Sequence, residues 1–282
     1  MKKIIVGIDF SRDSVHALEC GIMFANKIGS DLLMVWVDNI SGQSTLLPYE
    51  TAKSIEIKEE AKENLEELVK RYKKDLYKSK LYYRQRKGKV YQEIAYQAKA
   101  SNADLVLTGA HGITGYEEYW VGSNAFRIVV SSPCPVITIR QSFQFDNNLD
   151  KIVLPIDNTP ETIQKVPFTT QLASFFNSEM HLLTLFSTNI ASVNRKTESV
   201  ARQAAKYITS KGLHAYIEPV STENVTNTTL HYGEIIKAGL VSIMTEQESA
   251  SIQSLLGASA QQMINNSTIP VLSIQPNELF SL

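Results

Sequence analysis

The chain has 282 residues, of which 43% are hydrophobic and 20% are charged, and this balance excludes an intrinsically disordered protein. Its formal net charge of −1 gives no chain-wide reason to expect nucleic acid or an anionic membrane as a partner. No apolar run approaches the ~20 residues of a membrane-spanning helix. Two cysteines are too few for a disulfide framework, so we expect a cytoplasmic protein.

Short apolar runs alternate with segments of helical periodicity along the first half of the chain. The pattern predicts strands at 3–9, 31–37, 80–88, 103–111 and 135–140, and helices at 11–30, 56–77, 91–102 and 122–132. The first helix has Val15, Leu18 and Ile22 on one face, and Ser11 can cap its start. Strands that alternate with helices indicate an α/β fold with a doubly wound parallel sheet of five strands.

The second half of the chain repeats the first. KKIIVGIDFSRDS, from Lys2, matches DKIVLPIDNTPET, from Asp150, so an offset of 148 residues aligns Asp9 with Asp157. Near the ends of the halves, SSPCPVITIR matches NSTIPVLSIQ with an offset of 135. The second copy is therefore about 13 residues shorter, and the loss is placed most simply in residues 39–60. We predict two tandem domains, residues 1–142 and 149–282, joined by a polar, turn-rich segment.

A glycine-rich stretch, TGAHGITGYEEYWVGSNAF at residues 108–126, follows a predicted strand and leads into a predicted helix. In doubly wound sheets, ligands bind beyond the carboxyl ends of the strands. Glycine leaves the backbone accessible, and the free amides at a helix N-terminus suit an anion such as phosphate. The hydroxyl of Ser123 adds a donor. A flexible turn without a ligand is the alternative interpretation.

The spacing within this stretch is more specific than the glycine content. Gly109, Gly112, Gly122 and Ser123 form the pattern G-x2-G-x9-G-S, and the first copy closes with PCPVITI. This pattern resembles the ATP-binding subgroup of the universal stress protein family, and the duplication resembles its tandem-domain members. The resemblance implies an adenine nucleotide α-hydrolase-like fold in which the PVITIR and PVLSIQ segments are edge strands that join the two domains as a pseudo-dimer.

The resemblance also implies roles for individual residues. Asp9 and Ser11 match the opening motif of the family, which places Asp9 beside the ribose or adenosine. It places the backbone of Val37 against adenine. The remaining implied ligand contacts surround the phosphates of ATP: Gly109, Gly112, Gly122, Ser123 and Asn124. The histidines show no metal-ligand spacing, so we expect no metal site apart from magnesium carried by the nucleotide.

The second copy lacks most of the phosphate pattern. At the offset of 135, Met244 replaces Gly109, Gln247 replaces Gly112 and Ala258 replaces Ser123, whereas Gly257 matches Gly122. Asp157 alone cannot provide a phosphate site. We therefore predict that one nucleotide binds per chain, in the N-terminal half.

The resemblance implies a nucleotide-binding stress-response protein whose bound ATP regulates its state or its contacts, with no committed catalytic chemistry. No Walker lysine follows the glycines, and no nucleophile elbow or Ser, His and Asp constellation is recognisable. The alternatives are a slow ATPase or adenylyl-transferring enzyme of the same fold class, and a nucleotide-free scaffold that acts through protein contacts. Besides the adenine nucleotide, an unidentified protein or a second copy of the chain is a further candidate partner.

Overall fold

The computed structural model describes residues 1–39, 48–110, 123–144, 148–245 and 258–276. The chain divides into two compact units, Met1–Gln141 and Ser142–Leu282. Among the helices of these described ranges, none is long and apolar enough to cross a membrane.

The N-terminal unit is a parallel sheet whose strands alternate with helices. Its strands are Lys3–Ile8 (β1), Asp31–Asp38 (β2), Leu81–Lys87 (β3), Leu105–Gly109 (β4) and Val136–Ile139 (β5), and its helices are Arg12–Ile28 (α1), Pro48–Tyr72 (α2), Val90–Ala100 (α3) and Ser123–Ser131 (α4). The strand order is β3-β2-β1-β4-β5, and every neighbouring pair is parallel. The inner strands are continuously apolar because they are buried.

The C-terminal unit has the same topology. Its strands are Lys151–Ile156 (β6), Glu179–Phe186 (β7), Ala215–Ser221 (β8), Leu240–Met244 (β9) and Val271–Ile274 (β10), and its helices are Lys165–Phe176 (α5), Ala191–Ser210 (α6), Val225–Ile235 (α7) and Ala258–Asn266 (α8). The strand order is β10-β9-β6-β7-β8, again with parallel pairs. The predicted α/β class is confirmed in both units.

The strand register supports the alignment of the two halves. Ile4 pairs with Leu105 in the N-terminal unit, and Ile152 pairs with Leu240 in the C-terminal unit, which reproduces the offsets of 148 and 135. The shortening lies between the second and third strands, where 49 residues separate the paired Leu32 and Leu81 but 35 separate Met180 and Ala215. One additional residue between the third and fourth strands of the second copy reduces this difference of 14 to the 13 found in the sequence. The pairing of the two halves through their last strands stays a prediction.

Two element boundaries differ from the sequence prediction. Helix α2 begins at Pro48, eight residues before the predicted start at Glu56. Proline suits the first helical turn because its missing N–H would have no intrahelical partner there. The strand predicted at 103–111 ends two residues earlier, at Gly109, which is buried.

Gly109 lies against the first turn of α1. A Cβ atom at Gly109 would lie 2.8 Å from the backbone carbonyl carbon of Asp13 and 2.9 Å from the amide nitrogen of Ser14. Non-bonded carbon atoms prefer separations of about 3.5 to 4.0 Å, so any larger residue would push the helix away from the strand. The bare backbone at this position is therefore required by packing.

The C-terminal unit has a side chain at the equivalent position. Met244 pairs with Ile274 as Gly109 pairs with Ile139. The segment that corresponds to the start of α1, Pro160–Ile163, is a short 3₁₀ turn, and α5 begins only at Lys165. We attribute this later start to Met244, because Gly109 lets the first turn of α1 approach the strand end closely and a side chain at this position prevents that approach.

A buried lysine lies at this altered helix start. Lys165 is 2% exposed and corresponds to Ala17, a buried residue of α1. Its Nζ donates hydrogen bonds to the carbonyl oxygen of Thr162 at 2.8 Å and to Thr162 Oγ1 at 3.1 Å. Burial lowers the pKa of Lys165 from 10.5 to about 8, against the opposing effect of Asp157. The ammonium thus satisfies a carbonyl at the junction between the 3₁₀ turn and α5.

Substitution of Gly109 by alanine should destabilise the N-terminal unit. The added methyl group overlaps the backbone of α1, and overpacking of this kind costs about 1 to 3 kcal/mol in the free energy of unfolding. Urea unfolding followed by tryptophan fluorescence measures this change, because both tryptophans, Trp36 and Trp120, belong to the N-terminal half. Met244→Ala, which keeps a Cβ atom where one is already present, is the matched control, and its unfolding is followed by circular dichroism because both tryptophans belong to the N-terminal half. A Gly109→Ala protein as stable as the wild type would contradict the packing requirement.

Lys165 should make the stability of the C-terminal unit depend on pH. Above a pH of about 8 the folded state releases the Lys165 proton, whereas the unfolded lysine keeps its proton up to about pH 10.4, so the free energy of unfolding rises across this interval. Below a pH of about 8, Lys165 is protonated in both the folded and the unfolded state, and burial of the ammonium lowers the free energy of unfolding by on the order of 3 kcal/mol.

The variant Lys165→Met tests this contribution. An apolar side chain removes the titrating group, so the variant should lack the alkaline rise. Its stability relative to the wild type should be higher at neutral pH, where the wild type buries an ammonium group, than at alkaline pH. Urea unfolding followed by circular dichroism at pH values from about 7 to 10 gives the difference between the two proteins, in which all other titrating groups cancel. Parallel stability curves for the two proteins would show that Lys165 does not titrate in this range.

Candidate functional site

A pocket of about 130 Å³ lies in the N-terminal unit, where the carboxyl ends of β1, β2 and β4 meet the start of α4. This is the edge at which doubly wound folds bind ligands. The polar residues that line it are Asp9, Ser14, Thr108, Ser123 and Asn124. The apolar residues that line it are Ile8, Val35, Val37, Val90, Ile94, Ala110, Ala125 and Ile128, together with Gly7 and Gly109.

The turn between β1 and α1 fixes the orientation of Asp9. Asp9 Oδ1 accepts hydrogen bonds from the Ser11 amide at 3.0 Å and from Ser11 Oγ at 2.5 Å. Ser11 Oγ in turn accepts a hydrogen bond from the Ser14 amide at 3.2 Å and caps α1. Phe10, between them, has φ of 64°, a conformation that costs a bulky residue on the order of 1 to 3 kcal/mol. Ser11 therefore positions Asp9 and does not itself line the pocket.

The second carboxylate oxygen of Asp9 is available to a ligand. Asp9 Oδ2 makes no hydrogen bond with the residues that the structure describes, although Asp9 is half-buried and lines the pocket. A carboxylate oxygen held in this way can accept hydrogen bonds from two hydroxyl groups, such as those of a ribose.

The backbone of Val37 offers a further acceptor. In β2, the amide of Asp31 donates to the carbonyl of Lys2, just before β1, whereas the amide of Leu32 donates to the carbonyl of Lys80, just before β3. Backbone groups alternate in direction along a strand, so the odd-numbered residues of β2 direct theirs toward β1. The ladder with β1 ends at the pair Ile8 and Trp36. The carbonyl of Val37 therefore lies beyond the end of β1, and it accepts no backbone hydrogen bond within the described ranges.

The start of α4 supplies hydrogen-bond donors on the other side of the pocket. Ser123 and Asn124 are the first residues of α4, are exposed and line the pocket. The first four backbone N–H groups of a helix have no intrahelical acceptor, and the N-terminus carries about half a positive charge. Gly112 and Gly122, the other predicted phosphate-binding glycines, lie outside the described residues.

Sequence reasoning missed several residues of the pocket. Ser14, Thr108, Val90 and Ile94 line it, but no motif in the sequence marks them. Only the strand order reveals that the start of α3 faces the same edge as the ends of β1 and β4. Gly109 also lines the pocket, in addition to its packing role described above.

The C-terminal unit repeats the turn but not the rest of the site. Asp157 Oδ1 accepts hydrogen bonds from the Thr159 amide at 2.9 Å and from Thr159 Oγ1 at 2.6 Å, as Asp9 does from Ser11. Met244 stands in place of Gly109, and Ala258, which begins α8, stands in place of Ser123. The turn is therefore a shared element of the fold, and the differences lie at the strand end and the helix start.

Comparison with known proteins agrees with this architecture. The model of the universal stress protein family matches residues 1–140. A universal stress protein of Methanocaldococcus jannaschii is 30% identical over 142 residues, which cover 50% of this chain and 82% of the relative.

Solved structures extend the likeness to the whole chain. A universal stress protein of Archaeoglobus fulgidus aligns with a TM-score of 0.79 at 16% identity and covers 98% of both chains. A functionally unknown protein of Pseudomonas aeruginosa aligns with a TM-score of 0.66 at 14% identity, over 98% of this chain and 93% of that one. At these identities the structures establish the fold alone. The sequence match to the archaeal relative establishes the family, and the chain belongs to the universal stress proteins.

Proposed function

We propose that the N-terminal half binds ATP in the pocket between β1, β2, β4 and α4, and that the bound nucleotide controls the state or the contacts of the protein. The observation that carries the proposal is the convergence of three polar features on one pocket. These are the second carboxylate oxygen of Asp9, the backbone carbonyl of Val37 and the exposed N-terminus of α4.

Each feature matches one part of the nucleotide. A backbone carbonyl accepts a hydrogen bond from the exocyclic amine of adenine, and a carboxylate accepts from ribose hydroxyls. The free amides of α4 and the hydroxyl of Ser123 suit phosphate oxygens. The lined volume of about 130 Å³ is small beside the 300 to 1,000 Å³ of typical ligand pockets. It therefore fits the base, while the phosphates extend over the exposed residues Ser123 and Asn124.

Magnesium would enter with the nucleotide. The described parts of the chain contain no group of three or more His, Cys, Asp or Glu residues that could hold a metal ion. Magnesium is commonly bound through substrate phosphates, so ATP supplies the ligands that these residues do not.

Introduction of a negative charge at the start of α4 should abolish tight binding. Ser123→Glu places a carboxylate beside the proposed phosphates, and two like charges about 4 Å apart repel by about 1 kcal/mol in water and about 4 kcal/mol at an effective dielectric constant of 20. We expect the dissociation constant for ATP to rise at least about tenfold. Isothermal titration calorimetry with ATP and magnesium measures the change. The fold should be unaffected, because Ser123 is exposed and a glutamate stabilises a helix N-terminus.

Ala258→Glu is the matched control for this experiment. Ala258 is also the first, exposed residue of its helix, but in the C-terminal unit. This variant should bind ATP as the wild type does. Equal effects of the two substitutions would contradict the assignment of the site to the N-terminal half, and release of phosphate during the titration would favour a slow ATPase.

The wild-type chain should bind one ATP. In the C-terminal unit, Met244 and Ala258 remove the accessible backbone and the hydroxyl donor that the N-terminal unit offers, and each lost hydrogen bond to a charged group costs about 1.5 to 3 kcal/mol. Native mass spectrometry of the chain titrated with ATP counts the bound nucleotides. Two equivalents bound with similar affinity, or one that survives Ser123→Glu, would refute this asymmetry.

A further inference from the structure

The basic residues of the chain are concentrated in one segment. Residues 70–89 contain ten Lys or Arg residues and one acidic residue, Asp75, which gives a formal charge of +9 in a chain whose net charge is −1. The segment comprises the end of α2, the 3₁₀ turn Lys73–Asp75 and β3. Nine of its ten basic residues are exposed; only Arg86 is partly buried. The net charge of −1 for the whole chain therefore does not reveal this strongly positive segment.

The C-terminal unit shows that the fold does not require this charge. The register of β3 and β8 aligns Leu81 with Ala215, so residues 204–223 correspond to residues 70–89. That segment contains two Lys and two Glu residues and has no net charge. Charges on an edge strand often prevent unwanted strand pairing, but six of the ten basic residues here precede β3, and tyrosines accompany them.

Side chains of β3 alternate between the two faces of the sheet. Tyr83 donates a hydrogen bond to Glu66, and Gln85 donates one to the carbonyl oxygen of Lys58, so odd-numbered residues face α2. Arg86 donates to Glu93 Oε2 at 2.8 Å, so even-numbered residues face the side of α3. Tyr82, Arg84 and Arg86 therefore share one face with α3, about 6.6 Å apart along the strand.

Exposed aromatic rings lie on the same face. Tyr82 is 43% exposed, and Tyr96 of α3 is 58% exposed. The guanidinium carbon of Arg86 lies 4.9 Å from the centroid of the Tyr96 ring. Arg84 is exposed and forms no ion pair with the described residues. We call the surface formed by Tyr82, Arg84, Arg86 and Tyr96 the β3 face.

We propose that the β3 face binds single-stranded nucleic acid. Lys and Arg neutralise backbone phosphates, and exposed aromatic rings on an open sheet stack with unpaired bases. An acidic peptide would use the cations but not the rings, and a membrane-binding surface would display an apolar helix face. Tyr82 lies near the amino end of β3, whereas Arg86 pairs with Val37, which lines the nucleotide pocket. The β3 face therefore extends from the amino end of the strand to the edge of the proposed ATP site.

Fluorescence anisotropy with a labelled RNA of about 20 nucleotides tests the proposal. The affinity of the wild type should fall with salt, because phosphate neutralisation releases counterions. Arg84→Gln should make the slope of log K against log salt less negative by about 0.7, the value for one lost phosphate contact on a single strand. Tyr82→Ala should weaken binding about tenfold without a change of slope, because stacking does not release counterions.

Matched control variants come from the C-terminal unit. Tyr216 corresponds to Tyr82 and is 42% exposed, so Tyr216→Ala removes an equally exposed ring from the equivalent strand. Lys211→Gln removes an exposed positive charge. Both should bind RNA as the wild type does, and circular dichroism and thermal unfolding establish that all four variants are folded.

Several outcomes would overturn the proposal. Absence of binding at low salt would do so, as would binding that is unchanged in Arg84→Gln and Tyr82→Ala. A duplex of the same sequence that binds with equal affinity would indicate a general cationic surface. So would polyglutamate that displaces the labelled RNA as effectively, per negative charge, as unlabelled RNA does. If binding to vesicles of anionic phospholipid depended on Arg84 and binding to RNA did not, the β3 face would be a membrane-binding surface instead.

Discussion

The contact between the end of β4 and the first turn of α1 is the constraint on which the N-terminal site depends. No side chain fits at Gly109, since a Cβ atom there would lie 2.8 Å from the Asp13 backbone. This close approach allows α1 to be helical from Arg12 and holds the Asp9 turn at the end of β1. The same glycine lines the pocket, so one residue serves both the packing of the fold and access to the backbone.

The C-terminal unit shows how the site changes when this contact is lost. With Met244 at the strand end, the corresponding helix starts later, and the buried ammonium of Lys165 bonds to the carbonyl of Thr162. The pKa of Lys165 falls because of burial and is raised again by Asp157, so the lysine charge acts on the aspartate that corresponds to Asp9. In the N-terminal unit, Ala17 stands in place of the lysine and leaves Asp9 without this internal cation.

Much of the fold could be predicted from the sequence, because buried parallel strands are continuous apolar runs and the repeat fixes their alignment. The roles of single residues were harder to predict. A glycine that admits phosphate and a glycine that admits a helix look the same in sequence, and Gly109 proved to be required by the helix. Lys165 aligns with an alanine and gives no sequence signal of burial. The charge of +9 in residues 70–89 is not visible in the net charge of −1, because the remaining residues are acidic on balance and offset it.

Duplication makes the two units a natural comparison for identifying which features belong to the fold. The Asp9 turn recurs at Asp157 with the same hydrogen bonds, so the turn by itself does not indicate a ligand. Four features differ between the units. Gly109 and Ser123 are replaced by Met244 and Ala258, Ala17 is replaced by Lys165, and the basic charge of residues 70–89 has no counterpart in the C-terminal unit. The first three bear on the edge of the sheet where a ligand would bind, and the fourth alters an exposed strand. None of them disturbs the shared topology, so the fold does not require them, and they distinguish the N-terminal unit at the two surfaces for which we propose ligands.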